Sequence, residues 1–105
     1  MERTITPNEL QTLLAAGTSI TLLDVRRNDD RDKEPTAIPD ARWLDPAAVE
    51  DWSNDLDTDS EIVLYCVRGG SVSNAVVDTL QAKGLKARFI EGGLEAWKAT
   101  GGTTV

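Results

Sequence analysis

Apolar residues in this chain form two kinds of pattern, short unbroken runs and positions spaced three or four apart. The runs are rich in β-branched residues and leucine, which is typical of buried strands. They end at polar or glycine-containing stretches, as strands of a compact protein do. The runs predict three full strands and two shorter ones, at residues 19–25, 62–65 and 87–90, and at 3–5 and 41–43.

The spaced patterns predict helices between these strands. Thr6 and Glu9 form a capping box with Pro7 at the first helical position, and Gly17 stands where that helix would end. Asp45 is placed to cap a second helix, to about residue 54. Two more helices are predicted at 71–83 and 94–98, the first carrying an apolar face of Val72, Ala75, Val76 and Leu80.

Alternating strands and helices predict an α/β fold with a mostly parallel central sheet and helices on both faces. At 105 residues the chain suits one compact domain, residues 1–105. Trp43, Trp52 and Trp97 are expected to be packing residues. Two segments are expected to lie outside the regular elements: a charged polar loop at 26–36 and a frayed tail at 101–105.

Composition restricts the classes of partner. The net charge of −7 argues against nucleic acid and anionic membranes, both of which need a basic surface. Small anionic substrates remain compatible, because a helix terminus and one arginine can make a local positive pocket. No apolar run is long enough to span a bilayer or to form a signal core, and the one cysteine cannot form an internal disulfide, so we expect a cytoplasmic protein.

The absence of histidine excludes several kinds of site. Ser-His-Asp and Cys-His catalysis both need that residue, as do the zinc sites that use its imidazole. The acidic residues at 29–34 lack the glycine and the ligand spacing of an EF-hand calcium loop. We therefore expect neither a metal nor a cofactor.

Cys66 is the candidate nucleophile. It follows the predicted strand 62–65, and the glycines at 69–70 lead from it directly into the helix 71–83. Unpaired N–H groups at the start of a helix form a cradle for an anion, and the same dipoles favour a thiolate over a thiol. The alternative is that Cys66 is a small buried hydrophobic residue, the usual role of a lone cysteine at a strand end.

The loop from Cys66 to Ser71 resembles the active-site loop of rhodanese-type sulfurtransferases, Cys-x-x-Gly-x-[Arg/Thr/Ser]. Three further stretches are similar to that family in the same order: residues 22–26 (Leu-Leu-Asp-Val-Arg), 38–41 (Ile-Pro-Asp-Ala) and 92–97 (Gly-Gly-Leu-Glu-Ala-Trp). Ala37 and Asp40 depart from the family, which has histidine and glycine there. The family's usual aromatic residue is also missing from the loop at 26–36.

The resemblance implies a rhodanese-like three-layer fold and transfer of sulfane sulfur through a persulfide on Cys66. The donor would be a small thiosulfate-like anion, and the acceptor cyanide, a thiol or a protein cysteine. Asp24 and Arg26, at the end of the predicted strand 19–25, would support the site. The persulfide and substrate would be bound by the residues that follow the cysteine: Val67, Arg68, Gly69, Gly70, Ser71, Val72 and Ser73.

Individual roles within this loop stay open. Arg68 could bind the sulfonate end of the donor, face a protein acceptor or point into solvent. Ser71 and Ser73 could donate hydroxyl hydrogen bonds to the anion or cap the helix.

Two other functions compete with sulfur transfer. Cysteine-based phosphatases need Cys-x5-Arg, and the position of that arginine is occupied by Val72, so phosphatase and arsenate reductase activity are disfavoured. The main alternative is a non-catalytic rhodanese-like module that senses redox state or binds a protein. The unusual segment before Ile38, and Ser71 at the sixth loop position, are the features that support it.

Overall fold

The computed structural model describes residues 2–105, and a five-stranded sheet lies at its centre. All strand pairs are parallel, in the order β1-β5-β4-β2-β3. The strands are β1 (Thr4–Ile5), β2 (Thr21–Asp24), β3 (Arg42–Trp43), β4 (Glu61–Tyr65) and β5 (Lys86–Ile90). The predicted parallel sheet is confirmed, and its central strand β4 is the one that precedes Cys66.

Within residues 2–105, five α-helices accompany the sheet: α1 (Pro7–Ala15), α2 (Asn28–Lys33), α3 (Val49–Trp52), α4 (Ser71–Ala82) and α5 (Gly93–Ala99). Short 3₁₀ turns at Pro46–Ala48 and Ser53–Asp55 flank α3. The helix predicted to about residue 54 is therefore broken into three short pieces. Its predicted cap is present, since the Asp45 carboxylate accepts a hydrogen bond from the Ala47 N–H at 2.9 Å.

Helices cover both faces of the sheet, as predicted. Neighbouring residues of a strand point to opposite faces, so each buried strand contributes side chains to both layers. Leu22 and Val63 pack with residues of α1 and α5, whereas Leu23 and Leu64 pack with residues of α3 and α4. The result is two hydrophobic cores separated by the sheet, which is the three-layer arrangement expected from the sequence. Among residues 2–105, no helix has the length and apolar character needed to cross a membrane.

The predicted capping box at α1 is confirmed. The Glu9 N–H donates to the Thr6 hydroxyl at 3.1 Å, and the Thr6 N–H donates to the Glu9 carboxylate at 3.2 Å. The end of α4, predicted at residue 83, is followed by Gly84, which adopts the left-handed φ of +82° that commonly terminates a helix. These local signals correctly marked where two of the longer helices begin or end.

The predicted polar loop at 26–36 is wrong in part, because α2 occupies Asn28–Lys33. Acidic residues stand in its first turn and basic residues in its last, the distribution that the helix dipole favours. Arg31 also lies over the Trp43 ring, 4.5 Å from its centre. The charges that suggested a solvated loop thus stabilise a short helix beside the sheet edge.

The predicted frayed tail at 101–105 is also wrong. Val105 and Ala37 exchange two backbone hydrogen bonds, at 2.8 and 2.9 Å. The Trp97 indole N–H donates to the Thr103 carbonyl at 2.9 Å, and a Cβ on Gly102 would collide with the Trp97 ring. The tail is therefore attached to α5 and to the segment before Ile38.

Asp40 occupies a conformation that usually requires glycine. Its φ is +67°, and it lies in a turn closed by a hydrogen bond from the Ala41 N–H to the Ile38 carbonyl at 3.1 Å. Asp40 stands where the similar family has glycine, and its left-handed backbone therefore destabilises the folded state by about 1–2 kcal/mol.

Candidate functional site

Cys66 lies directly after β4, at the carboxyl edge of the parallel sheet, where α/β proteins place their sites. It is 6% exposed and lies at the bottom of an open hollow of about 480 Å³. The lining comes from the cysteine loop, the start of α4 and the start of α2: Arg27, Asp30, Cys66, Val67, Arg68, Gly70, Ser71 and Val72.

The loop is held from behind by the start of α5. The Leu94 N–H donates to the Cys66 carbonyl at 2.9 Å, and the Glu95 N–H donates to the Val67 carbonyl at 3.1 Å. These two N–H groups at the start of α5 have no acceptor within that helix, and the carbonyl oxygens of the cysteine loop accept from them instead. These bonds fix the loop backbone against a rigid element of the fold.

Glycine is required where the loop meets α5. A Cβ on Gly93 would lie 2.5 Å from the Cys66 carbonyl oxygen, and Gly93 also has a φ of +61°. A Cβ on Gly69 would lie 3.0 Å from backbone atoms of both Ile90 and Gly92, at a φ of +68°. The glycines before Leu94 thus let the start of α5 contact the backbone of the cysteine loop, although the two segments are far apart in the sequence.

The front of the loop leads into α4. The N-cap of that helix is Gly70, without a side-chain cap, and the helical hydrogen bonds begin with the Asn74 N–H donating to the Gly70 carbonyl at 3.1 Å. The capping role considered for Ser71 and Ser73 is therefore wrong. The N–H groups of Ser71, Val72 and Ser73 precede the first helical bond, so they have no acceptor within the helix.

Ser73 carries a buried hydroxyl without a partner. The residue is 0% exposed, and within the described part of the chain its Oγ has no hydrogen-bond partner. An unsatisfied buried hydroxyl typically costs about 1–3 kcal/mol, so such groups are uncommon and call for an explanation. Ser73 lies in the first turn of the helix that begins beside Cys66.

Arg68 contacts a residue that the sequence did not link to it. Its Nε donates to Glu95 Oε2 at 2.9 Å, and the two side chains are 79% and 58% exposed. The pair joins the cysteine loop to α5 at the rim of the hollow. Arg68 also borders a second hollow of about 320 Å³, lined in part by Glu34, Glu95 and Lys98.

Asp24 and Arg26 form a buried ion pair beside the site. Arg26 Nη2 donates to Asp24 Oδ2 at 2.8 Å, with both side chains at most 3% exposed. Its other donors reach the carbonyls of Glu34 and Thr36, at 2.8 and 3.0 Å. Burial opposes the charged form, but the hydrogen bonds and charge of Asp24 prevail and raise the pKa of Arg26. The pair ties the segment after α2 to the sheet and does not line the hollow over Cys66.

Glu34 forms a second anchor between α2 and α5. Its carboxylate accepts hydrogen bonds from the Thr36 hydroxyl at 2.6 Å and from Lys98 Nζ at 3.0 Å. The Thr36 hydrogen bond, followed by that from Lys98, lowers the pKa of Glu34 to about 2. Lys98 is therefore occupied, whereas Arg68 is the cation bound to Glu95.

The structure adds residues to the site that the sequence did not predict. Arg27 and Asp30 line the hollow because α2 begins next to the cysteine loop. The sequence signal for their position is the charge order of residues 28–33, which suits a helix dipole as well as a solvated loop. Gly93 and Glu95 were noticed as part of a similar stretch, and their contacts with the loop depend on tertiary packing.

Comparison with known sequence families and with curated relatives points to one family. The model of the rhodanese-like domain matches residues 6–100. A thiosulfate sulfurtransferase GlpE of Pseudomonas savastanoi is 30% identical over 96 residues, covering 91% of this chain and 87% of the relative. One from Coxiella burnetii is 33% identical over 81 residues, covering 76% of this chain and 73% of the relative.

Solved structures give the same fold. A rhodanese-related protein of Thermoplasma volcanium superposes with a TM-score of 0.84 at 24% identity, covering 99% of this chain and 98% of the other. A rhodanese-like domain protein of Staphylococcus aureus superposes with a TM-score of 0.79 at 29% identity, covering 91% of each chain. The similarity thus extends over nearly the whole architecture and includes the cysteine loop.

Proposed function

Because this chain belongs to the rhodanese-like domain family, we propose that it is a sulfurtransferase that carries sulfane sulfur on Cys66. The donor is a small thiosulfate-like anion and the acceptor is a thiophile such as cyanide or a thiol. The curated relatives named above are thiosulfate sulfurtransferases, which supports this class of reaction.

The observation that carries the proposal is the way the cysteine loop is mounted. Its first two carbonyl oxygens are engaged by α5, and a helix N-terminus begins at Ser71 beside the sulfur. Anions are stabilised by N–H groups at such a terminus. Such N–H groups can stabilise the anion that forms when a cysteine acts as the nucleophile.

In the first half-reaction, the Cys66 thiolate attacks the outer sulfur of thiosulfate. A bond forms between Sγ and that sulfur, the bond to the sulfonate sulfur breaks, and sulfite leaves with the electron pair. The enzyme then carries a persulfide anion. N–H groups at 67–73 stabilise its charge, as an oxyanion hole stabilises a developing charge on oxygen.

In the second half-reaction, the acceptor attacks the terminal sulfur of the persulfide. With cyanide the product is thiocyanate, and the sulfur–sulfur bond breaks to restore the Cys66 thiolate. The unpartnered hydroxyl of Ser73 is explained in this scheme as a donor to the bound sulfur anion. Neither half-reaction needs a histidine base, because no proton is removed from a thiolate.

The proposal is tested by intact mass after incubation with thiosulfate and removal of the excess. The wild-type protein is expected to gain one sulfur atom, and cyanide is expected to remove it. Cys66→Ser is the matched control and should show no gain. Ser73→Ala is expected to lower the yield of persulfide. Before treatment, the mass of this variant should equal the mass calculated from its sequence.

A second candidate function is a non-catalytic module that binds a protein through the rim of the hollow. It is favoured by the low exposure of Cys66 and by the engagement of Arg68 with Glu95. This function predicts no mass gain with thiosulfate, mercaptopyruvate or a small persulfide donor. That result would refute sulfur transfer and leave the rim residues as partner contacts.

A further inference from the structure

The Arg68–Glu95 ion pair lies at the rim of the hollow over Cys66, where Glu95 neutralises the charge of Arg68. Arg68 borders the hollow over Cys66 and also the neighbouring hollow that contains Glu95. Its side chain is 79% exposed, so little packing holds it in either place. Release from Glu95 would leave the Arg68 guanidinium free to pair with an anion in the hollow that it borders with Cys66.

We propose that Glu95 is a specificity-determining residue that competes with anionic sulfur donors for Arg68. The inference rests on the proposed function and concerns the choice of donor. When Arg68 is bound to Glu95, its charge is neutralised at the rim. An incoming dianion must then displace a carboxylate before it gains the charge-assisted hydrogen bonds of the guanidinium.

The charges around the two hollows support this assignment. Arg26 is buried on Asp24, and Lys98 is bound to Glu34, so neither is available to an anion without breaking another contact. Arg27 lines the hollow together with the acidic Asp30. Of the paired cations around the two hollows, Arg68 is the most exposed, so its ion pair with Glu95 is the one that an anion at the rim reaches most readily.

Glu95 can be altered without dismantling the loop. Its contribution to the loop is the backbone N–H that binds the Val67 carbonyl, and its side chain is 58% exposed. Glu95→Ala keeps that backbone donor and introduces a good helix former. Exposed ion pairs contribute little, so the expected change in affinity is modest, about two- to fivefold.

The direct test measures thiosulfate binding by calorimetry in a Cys66→Ser background, where no transfer can occur. Adding Glu95→Ala is expected to lower the dissociation constant by about two- to fivefold. Adding Arg68→Gln as well should abolish that gain. Glu61→Gln, which removes a carboxylate at the opposite end of β4, is the charge-matched control and should leave binding unchanged.

A kinetic test separates donor affinity from chemistry. In the Cys66 protein, Glu95→Ala is expected to lower KM for thiosulfate with kcat unchanged, and Glu95→Asp should restore much of the wild-type KM. With a singly charged thiosulfonate anion as donor, whose outer sulfur is transferred as sulfinate leaves, Glu95→Ala should lower KM by less than it does with the thiosulfate dianion. Weaker or unchanged thiosulfate binding in Glu95→Ala would overturn the inference, as would a gain that persists in Arg68→Gln.

The two proposals fail in different ways. If thiosulfate binds more tightly to Glu95→Ala but Cys66 never gains sulfur, the competition is real and sulfur transfer is refuted. If Cys66 gains sulfur but binding does not respond to Glu95, sulfur transfer stands and the role of Glu95 is refuted. If thiosulfate does not bind to any of these variants, Arg68 is no anion ligand and the inference is wrong.

Discussion

Replacing Gly93 with alanine is expected to damage the site through the backbone alone. The added Cβ would lie 2.5 Å from the Cys66 carbonyl oxygen and 2.7 Å from both Gly69 N and Val67 C. All three atoms belong to the main chain, so no side chain can turn aside. The hydrogen bonds from Leu94 and Glu95 to the loop, at 2.9 and 3.1 Å, would lengthen as the segments separate.

The magnitude has two parts. The left-handed backbone of Gly93 costs a residue with a Cβ about 1–2 kcal/mol. Forcing an extra group into a filled space typically costs about 1–3 kcal/mol more. Gly93→Ala should therefore lower the free energy of unfolding by about 2–5 kcal/mol.

Gly84→Ala is the matched control, because it isolates the first part. Gly84 has a similar φ of +82°, but a Cβ there would meet no atom within 4 Å. Its cost should be limited to about 1–2 kcal/mol. Any benefit from restricting the unfolded chain is the same in both variants and cancels in the comparison.

Urea unfolding of the two variants and the wild type provides the measurement, with Ellman's reagent as a second probe of Cys66. Gly93→Ala should lose more stability than Gly84→Ala and should react faster, because Cys66 is only 6% exposed in the intact loop. Equal losses in the two variants would refute the idea that the contact between α5 and the cysteine loop is sterically closed.

Three further predictions concern the surroundings of the site. Arg26→Met should lower the free energy of unfolding by about 3–5 kcal/mol, since it leaves the buried Asp24 carboxylate unpaired. Its control is Arg42→Met at an exposed position, which should change the free energy of unfolding by less than about 0.5 kcal/mol. Equal urea midpoints for the two variants would contradict this. Glu34 stabilises the fold at neutral pH because its folded-state pKa of about 2 lies below the ordinary value of 4.5. The stability difference between the wild type and Glu34→Gln should therefore be full above pH 4.5, shrink below it and be lost as the pH falls through about 2; a difference that keeps its full size at pH 2 would argue against it. Asp40→Gly should raise the free energy of unfolding by up to about 1 kcal/mol by relieving the φ of +67°, whereas a loss of stability would show that the Asp40 side chain makes a favourable contact.

Local signals were sufficient for most of the fold. Apolar runs and the Thr6 capping box located the strands and the start of α1, because strand burial and helix capping depend on neighbouring residues. The charges of the helix Asn28–Lys33 resemble those of a solvated loop, and its contact with the sheet edge joins Arg31 to Trp43, 12 positions away in the sequence. The attachment of the tail to Ala37 was missed for the same reason, since no pattern within 101–105 indicates a distant partner.

The candidate site divides in the same way. Cys66, its glycines and the following helix were readable because they are consecutive in the chain. The packing of α5 behind the loop and the pairing of Arg68 with Glu95 join residues that are 27 or 28 positions apart. Such contacts depend on the order of strands in the sheet, which places β5 beside β4 and brings the start of α5 to the cysteine.

The position of α5 also has a consequence for biosynthesis. A ribosome makes the chain from its amino end, so Cys66 and the strand before it emerge well before Leu94 and Glu95. Until those two residues have left the exit tunnel, the loop lacks the donors that fix its carbonyl oxygens. The backbone of the cysteine loop is therefore fixed only after the start of α5 has emerged, and the nascent chain carries an unshielded, unorganised cysteine until then.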